Sequence, residues 1–490
     1  VKPSVVVQSL ASGSIPQLPP RSWREDLLRR HGSGGRLVSL FGRREANEVL
    51  VTAVLRELAG ELTVTRTRVA VDHGYEAVTA DVRGAHCFER ELHEQTGVRL
   101  PGHPWLKPLR YEGEDQAAMN DYPFYRIEGK EVHEVAVGPI HAGVIEPGSF
   151  RFMCFGEQVH HLEIHLGYQH RGVERRLLEG DPLRGAPLVE TIAGDTSVGH
   201  AWAYCAGLEA LVEVELALDL EVGRAVALEL ERVAMHLAGL AGLAADIGFL
   251  QGATSYGRLR TTAINTSMRL CGSRFGRGAV RPGGVAMRLT PEVLREVLAN
   301  LDLLARDVAI INDCFLSAQT VQHRLQGVGV LSEAQARELG LVGLAARASG
   351  VVCDVRDRAS QGVWHELPIE LQVFSQGDCW ARAGMRIREI DASLKWVRDA
   401  FERWGVWGSP RVEIEALPGE RFACAVVEGW RGEIVHCLET GPDGRLLHYK
   451  VQDPSLRNWM GLALAVRGNE ISDFPICNKS FDLSYCGNDL

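Results

Sequence analysis

The chain has 490 residues, enough for roughly two to four domains and for a large buried core. Hydrophobic residues make up 46% and charged residues 24%, the proportions of a soluble globular protein. A formal net charge of −10 provides no basic face for nucleic acid and no polybasic patch for anionic lipid. No stretch is apolar and uncharged for the ~18 residues that a spanning helix needs. The nearest, 237–250, is rich in Gly and Ala and broken by Asp246, and is read as a buried core helix. No charged-then-apolar leader is read at the start. Eleven cysteines are scattered with no C-x-x-C pair, so they are expected reduced and buried, with no Fe–S cluster held by this chain itself.

In chain order, residues 1–22 are rich in Ser, Pro and Gln and are predicted to form a surface arm. Apolar spacing over 44–60 predicts an amphipathic helix closed by Gly60. Residues 61–80, rich in Val and Thr with Asp72-His73-Gly74 inside, predict strand, turn and strand. A small α+β domain over 23–111 follows, then a linker over 112–130. The second domain, 131–490, opens with strands at 132–137 and 150–155. Helical periodicity is then read over 208–218, 224–248, 256–270, 291–324 and 384–404, with Thr290 capping Pro291. Alternation over 413–449, with turns at Pro418-Gly419 and Pro442-Asp443-Gly444, predicts a β-hairpin region. The fold class is α+β, a mainly helical second domain being flanked by small sheets.

Several runs carry a resemblance that covers nearly the whole chain. Residues 88–111 (FERELHEQTGVRLPGHPWLKPLRY) look like the signature of the 30-kDa subunit of respiratory complex I. From Gly138 onward the chain resembles the complex I 49-kDa subunit and the large subunits of [NiFe] hydrogenases. The runs are GPIHAGVIEPG (138–148), LGYQHRGVE (166–174), ELERVAMHL (229–237), RASGV (347–351), GDCWAR (377–382) and EGWRGE (428–433). A fusion of the two subunits resembles the large subunit of formate hydrogenlyase and other membrane-bound group 4 hydrogenases.

The resemblance fails at the metal. Residues 190–200 read ETIAGDTSVGH where hydrogenases have E-R-I-C-G-x-C-x-x-x-H, and 481–490 read FDLSYCGNDL where they have D-P-C-x-x-C-x-x-R/H. By register Ala193, Thr196, Ser484 and Gly487 take the four cysteine positions. Nickel there needs thiolates, and neither Ala nor Gly donates anything. No metal is expected, and an active hydrogenase is not expected.

By the same resemblance Glu174 matches the carboxylate that passes protons to the metal, and Arg431 the arginine above it. Asp246 matches an aspartate that supports a quinone site. All three are read as proton-handling residues or, alternatively, as a relic ion-pair network. Ser149 falls at the quinone-site histidine, with His141 as a substitute donor. Asp195, Thr196 and His200 are expected to line the same cavity, ordering water or a quinone head group, although a lone apolar-helix histidine is commonly a satisfied core residue. Glu89, Arg90 and Trp105 are read as a partner interface, or as an ordinary edge of the small domain.

The resemblance implies a subunit on the cytoplasmic face of the inner membrane, seated on a small Fe–S partner beside membrane antiporter-like and quinone-chamber subunits. Electrons would pass from the partner's clusters to a quinone-like acceptor. The competing expectation is a non-catalytic scaffold with a vestigial cavity. No G-x-G-x-x-G run joins a strand to a helix, so any NADH oxidation belongs to another subunit.

Overall fold

A computed structural model describes residues 4–490 apart from 113, 144, 288 and 359–361. It is an α+β structure whose described strands form four antiparallel sheets. β1 (Val6–Ala11) is followed by helix Pro20–Gly32, then by a three-stranded sheet of β2 (Arg36–Glu45), β3 (Glu48–Arg56) and β4 (Leu62–Ala70), and by helix His86–Thr96. One face of this sheet buries Val51, Leu55 and Leu40 against Trp23, Leu27 and Phe88 of the two helices. The other face packs Val38, Phe41 and Val54 on Phe422 and Val426 of the second domain.

That double burial explains one correction. Residues 44–60 are not a helix but the end of β2, a turn and β3. A strand covered on both faces reads as an unbroken apolar run, which periodicity alone cannot tell from a buried helix. The β-branched Val49, Val51, Thr52 and Val54 carried the strand signal. Residues 61–80 contain one strand, β4, then a loop turning at Gly74, where φ is +63° and an added Cβ would meet the Arg99 carbonyl at 1.7 Å. The surface arm is also corrected. Ser4 is buried, its N–H donating to Glu221 at 2.9 Å, and β1 joins a sheet of the second domain.

The second domain begins with a sheet of β5 (Val132–Val137), β6 (Ser149–Phe155) and β7 (Gln158–His165). Its core is helical: Ser197–Leu211, Leu218–Asp246, Leu250–Cys271, Pro291–Ser317 and Cys379–Trp404. The predicted helix over 208–218 straddles the break between the first two, where Glu213 takes φ +56°. Val, Leu and Ala recur between Glu209, Glu213 and Glu215 across that break, and this regular spacing hides it. The helix predicted over 291–324 ends at Ser317 and restarts at Gln319. Thr290 caps it as expected, accepting from the Val293 N–H at 3.3 Å.

After a two-stranded hairpin, β8 (Val280–Arg281) with β9 (Gly284–Val285), the last sheet runs β1-β10-β11-β12, with β10 (Arg421–Glu428), β11 (Glu433–Thr440) and β12 (Leu446–Gln452). It holds the expected hairpin region, with the turn at Pro442-Asp443-Gly444 closed by the Gly444 N–H on the Gly441 carbonyl. Val6 pairs with Val426, so the start of the chain completes a sheet made near its end. Helices Pro454–Ala465, Phe474–Phe481 and Tyr485–Asp489 bring the C-terminal run back to helix Ser197–Leu211.

Candidate functional site

β10 and β11 are joined by a tight turn in which Gly429 and Gly432 exchange backbone hydrogen bonds of 2.9 and 3.1 Å. Gly432 has φ +139°, and a Cβ there would meet the Gly343 backbone at 2.8 Å. The turn therefore presents Trp430 and Arg431 at its tip. Arg431 is buried, its guanidinium 3.8 Å from the Trp430 ring centroid. It grips Asp195 with two N–H···O bonds of 2.7 Å each and donates to the Thr196 hydroxyl at 3.3 Å. Its Nε donates to the Asp482 carbonyl. This two-pronged geometry is the strong form of an ion pair. The Asp195 side chain is 38% exposed, so one end of the pair meets solvent.

Behind it runs a fully buried polar chain. Asp453 accepts from His200 Nε2 at 3.0 Å, His200 Nδ1 faces His436 Nε2 at 3.0 Å, and His436 Nδ1 bonds the Tyr449 hydroxyl. Against the cost of burial, the His200 bond and the charge of Arg431 hold the Asp453 carboxyl below its ordinary range, and the Ser455 N–H also donates to it at 2.8 Å. Burial pushes His436 well below the ordinary imidazole value, so it is neutral. Tyr449 then donates to His436, His436 to His200, and His200 to Asp453. Reversing the order would move one proton from the Tyr449 hydroxyl to the Asp453 carboxylate and leave a phenolate, unless Tyr449 were reprotonated from outside the chain.

Residues 191–200 and 482–490 meet at this place. Arg171 spans them, donating to the Thr191 and Ile192 carbonyls at 2.6 and 3.0 Å and to the Cys486 carbonyl at 3.3 Å. The four expected cysteine positions do not fit a nickel–iron centre. Ala193 offers no donor. Ser484 Oγ is taken up by the Gly487 N–H at 2.9 Å. A Cβ on Gly487 would lie 2.6–2.9 Å from the Asp453 carboxylate. Burial pushes the neighbouring Cys486 thiol up to about 11, so it is protonated near neutral pH.

The expected site residues are only partly gathered. Arg431, Asp195, Thr196 and His200 come together. Glu174 does not join them; it bonds the Val451 N–H at 2.9 Å and Lys450 at 3.1 Å. Lys450 also pairs with Glu91 at 2.6 Å, so Glu174 belongs to a cluster that ties the two domains. Asp246 is exposed at the end of its helix, beside the Lys479–Asp482 pair of 2.9 Å. Asp482 links it to Arg431 at one remove. His141 donates across its own loop, to the Gly148 carbonyl at 2.9 Å. Ser149 is buried at the start of β6, opposite His165.

Glu89 and Arg90 are not a free surface. Glu89 is wholly buried, accepting from the Val78 and Thr79 N–H groups at 2.8 and 2.9 Å. Arg90 is buried against Trp105, 4.5 Å from its ring, and donates to the Lys107 and Pro108 carbonyls. Trp105 alone of the three is half-exposed. The contacts of these three residues reflect packing within the front domain.

Sequence reading missed His436, Tyr449, Asp453 and Glu231. Glu231 accepts from the Val198 and Gly199 N–H groups at 2.8 and 3.2 Å, yet burial pushes its carboxyl up to about 8. The available signal was polar residues set inside apolar strands and helices, which need buried partners.

Comparison with known proteins places the chain. The family described as respiratory-chain NADH dehydrogenase, 49 Kd subunit, matches residues 246–413. The "Carbon monoxide-induced hydrogenase" of Rhodospirillum rubrum is 30% identical over 353 residues, which are 71% of this chain and 97% of that protein. "Formate hydrogenlyase subunit 5" of Escherichia coli K12 is 29% identical, covering 93% of this chain and 85% of its own. The C/D subunit of the NADH-quinone oxidoreductase of Bacteroides thetaiotaomicron is 27% identical over 81% of this chain and 82% of that protein. The fold is shared with a chain of an archaeal membrane-bound sulfane sulfur reductase, with TM-score 0.69 and 23% identity, over 75% of this chain and 100% of that one. The chain belongs to the family of complex I 49-kDa subunits and group 4 hydrogenase large subunits.

Proposed function

We propose that the chain is a peripheral subunit of a membrane-associated, complex I-related oxidoreductase and works without nickel–iron chemistry. Electrons arrive singly from an Fe–S cluster in a small partner subunit and pass one at a time to a quinone-like acceptor beside Asp195, two for each acceptor fully reduced. Each two-electron reduction takes up two protons. Arg431 holds Asp195 at the solvent-facing end, and Asp453, His200, His436 and Tyr449 form a relay that can deliver or store a proton at the Asp453 carboxylate. Glu174 and Asp246 act at a distance, Glu174 through the domain cluster and Asp246 through Lys479 and Asp482. Membrane partners of the antiporter and quinone-chamber kind, and a place on the cytoplasmic face, belong to the same reading.

The observation that carries it is the pairing of a half-exposed, two-pronged Asp195–Arg431 contact with a buried relay at the expected cysteine positions. Relatives named as hydrogenases and as NADH-quinone oxidoreductase subunits support it. A scaffold role is the second reading. It is favoured by the complete satisfaction of the buried relay and by the closeness of Asp453 to Gly487, which leave a packed interior.

Anaerobic EPR of the intact complex, its clusters reduced beforehand, separates the two. Fast cluster reoxidation by a quinone analogue, slowed at least tenfold in Arg431→Ala and Tyr449→Phe with assembly intact, supports the reductase. Clusters that stay reduced in the unaltered complex favour the scaffold.

A further inference from the structure

A half-open cavity of about 460 Å³ lies between the two domains, and Asn488 of the C-terminal run is among its lining residues. Its walls come from helix His86–Thr96 and residues 104–109 on one side, and from β7 and helix Pro454–Ala465 on the other. That volume is within the range of small-molecule sites. The apolar walls include Trp105, Leu162, Leu456, Trp459 and Met460, two of them indoles.

The polar groups are more telling than the walls. Arg90 and Arg467 both line the cavity, and among the described residues neither has a carboxylate partner. Arg90 is buried and donates to two backbone carbonyls. A buried cation without a counter-ion costs several kcal/mol, on the order of an ordinary ligand's whole binding energy. The one carboxylate in the wall, Glu163, is already neutralised by Lys107 at 2.6 Å and accepts from Tyr122.

Four further lining residues have ring nitrogens without a partner: His86 Nδ1, His161 Nε2, His165 Nε2 and Trp459 Nε1. Two are fixed as donors by chemistry. Trp459 Nε1 can only donate. His161 Nδ1 must accept from Arg467, 3.0 Å away, because a guanidinium cannot accept, and so its Nε2 carries the hydrogen. Cations and N–H donors predominate, and the walls are aromatic.

We propose that this cavity binds a planar aromatic anion, its ring among Trp105, Trp459 and Met460 and its oxyanion on Arg90 and Arg467. The inference stands apart from the electron-transfer role proposed above, and its test does not read turnover.

Fluorine NMR of 6-fluoro-2-naphthoate titrated into the intact complex is the experiment, with neutral 6-fluoro-2-naphthol as comparison. Saturable binding of one naphthoate per chain is expected, at least tenfold weaker in Arg467→Gln, with naphthol unaffected by that change. Met460→Trp, which fills the cavity, is expected to abolish binding of both. Naphthoate that does not saturate, or that binds equally in the unaltered protein and both variants, overturns the proposal. Equal loss of naphthol and naphthoate in Arg467→Gln overturns the assignment of the anion.

Discussion

Two groups of buried charge lie in the same domain and behave as opposites. In the first, Arg347 pairs with Glu389, Glu428 and Asp354, Arg356 with Glu229 and Asp354, and Arg232 with Glu229 and Glu389. His236 adds a bond to Glu389 at 2.8 Å. Every member is buried, and the cluster is tied to the backbone at Val355 and Gly429. In the second, Arg431 holds a single carboxylate, and that carboxylate reaches solvent. A closed cluster with many partners is costly to disturb and has no route for protons to leave. An open pair with one end in solvent costs less to disturb and can exchange. The difference separates charge that holds helices together from charge that can do chemistry.

The contrast can be broken by substitution. Arg347→Met removes one cation facing three buried carboxylates and is expected to cost about 3–5 kcal/mol, seen as a lower denaturation midpoint. A loss below ~1 kcal/mol would put the closed cluster in the same class as the open pair. Gly487→Ala places a methyl against the Asp453 carboxylate and is expected to cost about 1–3 kcal/mol. Its nitrogen-15 histidine spectrum is expected to show His200 disturbed, because Asp453 must move. Arg431→Ala is expected to cost only about 1–2 kcal/mol, from the lost ring contact and hydrogen bonds, while acceptor reduction falls at least tenfold. Equal loss of stability and turnover would erase the distinction.

The smallest effect is in the pH dependence. Burial raises Glu231 from its ordinary 4.5 to about 8. The folded chain therefore holds a proton that the unfolded chain has released, and this contribution to stability falls as pH rises from about 4.5 through about 8. Glu231→Gln is expected to flatten that slope in denaturation midpoints measured from pH 5 to 9. An unchanged slope would assign the pH dependence to another group.

The helical core was the most legible part in sequence, since 224–248, 256–270 and 384–404 lie almost wholly inside observed helices with clear periodicity. The front of the chain was less so, because β2 and β3 are buried on both faces and lose the alternation that marks a strand. β1 was hidden by its flanking Ser and Pro residues, and its partner lies far along the chain. At the site, Arg431, Asp195, Thr196 and His200 could be found because they stand in runs shared with known families. His436, Tyr449 and Asp453 sit outside those runs, on and beside strands whose neighbours are set by sheet register. Glu174 was misplaced for the converse reason: its run matched, but its nearest charged partners, Lys450 and the Glu91 beyond it, come from a strand and from the other domain.

The pairing of Val6 with Val426 also bears on how the molecule is made. A ribosome adding ~5–20 residues per second would need on the order of a minute between the synthesis of one strand and the other. Throughout that interval Val6–Ala11 has no sheet to join, and the sheet of β2–β4 has one apolar face uncovered. A nascent chain in this condition is an expected client for chaperones. Folding of the front domain would become protected only when the last hundred residues emerge.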